Sequence, residues 1–133
     1  MLKEIPQEYV RQIKGEPKRR WFDDDNFDLV IWEDNDGKII AFQLFYDKAH
    51  NQRVLAWKVK SGFLHERVDD GERRPGKYKA TPILTADGLF DYKRIAAQFK
   101  KESLEIEEKV AAFVHKKLLE CPRQLVWRSY RKE

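Results

Sequence analysis

Four residues, Asp34-Asn35-Asp36-Gly37, separate two stretches rich in β-branched and aromatic side chains, Phe27 to Glu33 and Lys38 to Tyr46. Such punctuation is a strong hairpin signal, because Asp, Asn and Gly accept the left-handed backbone that a tight turn demands. If Asp36-Gly37 forms a two-residue turn, Phe27, Leu29 and Ile31 share a face with Phe42, Leu44 and Tyr46. A three-residue loop shifts the register and turns one strand over.

A second hairpin is expected from Arg53 to Lys60 and Phe63 to Val68 around Ser61-Gly62. A two-residue turn there groups Leu55, Trp57, Val59, Leu64 and Val68 on the core side. Lys58, Lys60, His65 and Arg67, with Gln43 of the first hairpin, fall on the other side as a basic, solvated face. Tyr78 to Leu84 reads as an edge strand, since Pro82 cannot donate a ladder hydrogen bond. Asp91 is the expected N-cap of a helix carrying Ile95, Ala96 and Phe99. Ser103 is the expected N-cap of another carrying Ile106, Val110, Phe113, Val114 and Leu118. Cys121-Pro122 is expected to end it, because the residue before proline avoids helical geometry.

The pattern predicts an α+β fold, an antiparallel β-meander of four to five strands with two C-terminal helices packed on one face. Residues 1–20 read as a short helix opened by Pro6 followed by a basic linker, Glu16 to Arg20. Residues 21–120 form the α+β domain, and residues 121–133 a basic, aromatic tail.

At 133 residues the chain is long enough to bury a core without staples. Its hydrophobic fraction of 41% sits beside 38% charged residues, a polar balance that is still too aromatic for a disordered chain. The net charge of +4 belongs to the ends: residues 1–20 hold six Lys/Arg against three Glu, residues 121–133 four against one, and the body between carries −2. Basic ends suit an anionic partner, and also serve plain solubility. The single cysteine, Cys121, excludes an internal disulfide and a CxxC-type zinc site. No apolar run reaches the roughly 20 residues of a membrane span, and MLKEIPQEYVRQIK lacks the core of a secretory signal, so the cytoplasm is the expected location.

The segment Gly62 to Leu84 concentrates chemistry-bearing residues. Its GERRPGKY stretch, Gly71 to Tyr78, falls short of the phosphate-binding GxxxxGK[ST] pattern: Tyr78 replaces the small hydroxyl residue, and the sequence that follows reads as extended. Asp34 to Gly37 fails as a calcium loop, with Trp32 and Gln43 at the first and last ligand positions. Asp23, Asp24 and Asp25 point in different directions and read as a solvated loop or cap rather than a cation site. His65, Asp69, Asp70 and Glu72 are the candidate acid-base or metal-assisted set, while pairing of these carboxylates with Arg67, Arg73 or Arg74 is the structural alternative. His50 and His115 have no visible catalytic partner, and Cys121 has no visible base. The candidate binding set is Lys58, Lys60, His65, Arg67, Arg73, Arg74 and Lys77.

The stretches RRWF (Arg19 to Phe22), FDLVIW (Phe27 to Trp32), FQLFYDK (Phe42 to Lys48) and GFLHERVDDGE (Gly62 to Glu72), followed by PGKYKATPIL, resemble a family of small uncharacterised bacterial proteins across about residues 19–118. The resemblance implies a bacterial cytoplasmic protein and carries over no activity, cofactor or site residue. On these grounds the expected function is binding of a protein or polyanion through the basic sheet face and the 62–79 region, with no cofactor or metal. A metal-assisted hydrolase or phosphotransfer enzyme built on His65 and its neighbouring carboxylates, and a nucleic-acid accessory protein using the basic ends, are the alternatives.

Overall fold

The computed structural model describes residues 1–48, 52–67 and 91–131, with 66–67 and 122–131 described as backbone. Its strands are β1 (Lys3–Glu4), β2 (Lys18–Asp23), β3 (Asp28–Glu33), β4 (Ile39–Tyr46), β5 (Arg53–Lys58) and β6 (Gly62–Arg67). They pair antiparallel in chain order, so the described sheet is a six-stranded meander rather than one of four to five. The additional strands come from the first 23 residues. The expected Glu16 to Arg20 linker enters β2 at Lys18, and the expected N-terminal helix is a single 3-10 turn, Gln7–Tyr9. The Gln12 amide clamps this segment to β2, donating to the Arg19 carbonyl at 2.8 Å and accepting from the Arg19 N–H at 2.9 Å.

Helices α1 (Tyr92–Glu102) and α2 (Glu108–Arg131) follow. Asp91 stands at the N-cap of α1 as expected, although its carboxylate makes no capping hydrogen bond. Ser103 ends α1 instead of opening α2, its N–H bonding to the Phe99 carbonyl. The expected stop at Cys121-Pro122 is also absent: α2 runs through Pro122. Val110, Val114, Leu118 and Cys121 recur on one face of α2 and are all buried. Packing of such a stripe supports helix geometry beyond what local preference dictates.

That stripe joins Ile95, Ala96 and Phe99 of α1 over Phe22, Leu29, Ile31, Phe42, Leu44, Leu55 and Phe63 in one core. Each fully buried large apolar side chain contributes about 1.5–3 kcal/mol. Phe27 and Phe99 meet edge to face at 5.9 Å, and Trp57 and Phe113 at 5.3 Å. Both helices therefore lie on one face of the sheet, as the sequence pattern predicts.

The other face departs from expectation. Every residue of β3 is buried, and Val30, Trp32 and Ala41 form a second apolar cluster with Trp21 and Ile40 against it. The expected solvated face is buried over β3 and β4, where alternating aromatic and aliphatic residues supply apolar surface to both sides. Arg19 lies over the Trp32 ring at 5.8 Å.

At one margin, the Arg20 guanidinium reaches Glu4 of β1 at 2.8 Å, and Glu33 of β3 and Glu107 before α2 at 3.0 Å each. One cation thus joins three segments, and its hydrogen bonds hold the Glu4 carboxyl below its ordinary range.

Candidate functional site

The placement of His65 follows from the β5–β6 turn. Lys58 pairs with Gly62, so Val59, Lys60 and Ser61 make a three-residue turn, and the left-handed Gly62 (φ +79°) opens β6 instead of occupying a two-residue turn with Ser61. Leu55 then faces His65, Trp57 faces Phe63, and Ala56 faces Leu64. Relative to the expected register β6 is turned over: Phe63 and His65 join the core side, Leu64 leaves it, and Val59 is exposed. Val68 lies outside the described residues.

Buried to 2% exposure, His65 is hydrogen-bonded through its Nε2 to the Tyr46 hydroxyl, the two ring planes parallel with centroids 5.9 Å apart. Burial raises the Tyr46 hydroxyl's pKa well above the ordinary phenol value, which extends its protonated form into the alkaline range. Cys121 is fully buried in the same core, and burial likewise pushes its thiol upward, opposite to what a nucleophilic cysteine requires. Beside Tyr46 the chain turns through Asp47, a non-glycine residue with φ +52°. Its carboxylate receives Arg94 of α1 at 3.1 Å, and Arg94 also holds Asp91 at 3.2 Å. This arrangement suits fastening α1 to the end of β4.

The rest of the candidate acid-base set, Asp69, Asp70 and Glu72, lies outside the described residues, as do Arg73, Arg74 and Lys77 of the binding set and the GERRPGKY stretch. Lys58 is half-buried on the face opposite His65, paired in register with Ala41, and Lys60 is exposed at the turn. The backbone of Arg67 pairs with Arg53. The structure therefore separates His65 from Lys58, which the expected register had placed together.

The acidic stretches weighed as cation sites make turns. Asp24 Oδ1 accepts the N–H groups of Asn26 and Phe27 at 2.8 and 2.7 Å. Asp34 Oδ1 accepts those of Asp36 and Lys38 at 2.9 Å. Among the described residues no group of three or more His, Cys, Asp and Glu is arranged to hold a metal. No helix among them is long and apolar enough to cross a membrane.

Sequence reasoning passed over one surface, the outward side of α1. Lys93, Ala97, Lys100 and Lys101 are exposed there, opposite the buried Ile95, Ala96 and Phe99. Their i, i+4, i+7, i+8 spacing was the available signal. Compared with protein-family models, curated proteins and solved structures, the chain has no match.

Proposed function

We propose that the protein is a binding module that engages a protein partner or polyanion through a cationic surface, including Lys58, Lys60 and the segment that follows β6. The observation that carries this reading is the inward placement of His65. Its imidazole is engaged with Tyr46 beneath α2, while Lys60 of the adjoining turn is directed to solvent. Cys121, among core apolar side chains with a raised pKa, supports the same division between a structural interior and a charged exterior.

The test is retention of the intact protein on heparin at low salt, with and without K58E, R67E and R73E combined. The triple reversal is expected to elute at markedly lower salt, because it removes cationic attraction to a polyanion that added ions screen. Unchanged elution would contradict the reading. A saturable divalent-cation response at His65 and the carboxylates after it would favour metal-assisted hydrolysis instead.

A further inference from the structure

We infer that the outer face of α1 is a docking surface for an acidic amphipathic helical segment of a partner protein. This deepens the binding reading above and rests on it, but it places contact on a different element. Successive helical residues rotate by about 100°, so Lys93, Ala97, Lys100 and Lys101 fall within an arc of about 100° that runs about 12 Å along the axis. All are exposed, and Leu104, two residues beyond the helix end, is 72% exposed.

Among the described residues, the exposed charge of α1 on this face is of one sign. Asp91 holds Arg94, and Glu102 receives Asn26 at 2.9 Å and Gln98 at 3.0 Å, while the exposed Glu105 lies beyond the helix end. Lys93, Lys100 and Lys101 make no ion pair among the described residues. Lys100 and Lys101 complement the negative end of the helix dipole, which accounts for them without a partner. Lys93 has no such account. It lies in the first turn, where the dipole disfavours a cation and which holds no acidic residue, Asp91 at the N-cap being taken up by Arg94. The outer face of α2 differs, mixing Glu108 and Lys109 with Ala112, Lys116 and Leu119.

The occupant follows from this chemistry. Carboxylates repeating about every seven residues on a helix meet Lys93 and Lys100 together, Ala97 between them permits close approach, and Leu104 offers an apolar contact. Among the described residues no exposed aromatic lies on this face to stack a nucleic-acid base. For a bilayer, three lysines supply only about 1 kcal/mol each, with one leucine to insert.

The experiment follows amide chemical shifts of the full chain during titration with a synthetic amphipathic helix bearing Glu along one face, and with its Gln counterpart. Saturable shifts confined to 93–104 with the Glu peptide, absent with the Gln peptide, are expected. K93E/K100E/K101E should bind about tenfold more weakly, and K93Q/K100Q/K101Q should fall between. No shifts on α1, equal binding of both peptides, or preferential binding of the same face to anionic vesicles would overturn the proposal. Concentration-dependent self-association abolished by the same reversals would also overturn it, by making a second copy the occupant. If α1 is silent but heparin retention still depends on Lys58, Arg67 and Arg73, the α1 assignment fails and the broader reading stands. If both are silent, both fail.

Discussion

The two hairpins β3–β4 and β5–β6 turn through similar punctuation, yet their strands obey different face assignments. In the first, the Asp34 N–H donates to the Lys38 carbonyl at 2.9 Å, leaving Asn35, Asp36 and the left-handed Gly37 in the turn. That three-residue turn alone would put Phe42, Leu44 and Tyr46 on the wrong side. A bulge prevents it: Glu33 pairs with Ile39 and Trp32 with Ala41, so Ile40 is the extra residue and the faces return to phase. In the second hairpin the register runs unshifted from Lys58–Gly62 to Arg53–Arg67, and nothing reverses the turn's effect. The difference teaches that turn length alone does not set which side chains enter a core. One unpaired residue in the strand decides whether a histidine is a surface group or an interior one.

The most forceful way to break this comparison is to exchange core and surface in β6. Phe63→Ala is expected to cost about 3–5 kcal/mol in urea unfolding, the range for a buried aromatic, and Leu64→Ala far less, since Leu64 is only half-buried. The reverse order would restore the two-residue turn. Next in size, Tyr46→Phe should cost about 1–3 kcal/mol by depriving His65 of a buried partner. Tyr46→Phe combined with His65→Leu should cost less than the sum of the single changes, because both polar ends are then gone.

Burial of Tyr46 and Cys121 also gives a pH signature. Both groups have folded pKa values raised above the ordinary values of 10.0 and 9.0. Above those values the unfolded chain loses protons that the folded chain keeps. Stability contributed below pH 9 is therefore lost as pH rises, at a limiting slope of about 1.4 kcal/mol per pH unit for each group. Denaturant midpoints should hold to about pH 9 and fall above it, and C121A should delay the onset of the fall to about pH 10. The smallest effect should treat the hairpins alike: Gly37→Ala and Gly62→Ala, at φ +81° and +79°, should each cost about 1–2 kcal/mol in the same assay.

Much of the core was legible where alternation was uninterrupted. Phe27, Leu29, Ile31, Phe42, Leu44 and Tyr46 all lie in the main core, as their spacing indicates. The Ile40 bulge was not legible, because a bulge arises from competition between a turn's preferred length and the burial of both flanking strands. Strand β2 was obscured by Lys18, Arg19 and Arg20. Their charge reads as a linker, whereas Arg19 lies over Trp32 and Arg20 is neutralised by carboxylates distant in sequence. The end of α2 was misread for the converse reason: local preference at Pro122 says nothing about the apolar stripe packed before it. Of the candidate site, the residue types were readable and the face of His65 was not, since it depends on one residue of register.

The direct measurement is ethoxyformylation of the native protein by diethyl pyrocarbonate, followed residue by residue by mass spectrometry. His65 should remain unmodified while half-buried His115 reacts, and should become reactive only in denaturant. Modification of His65 in the folded protein at the rate of His115 would return it to the surface and contradict the register on which this account of the protein rests.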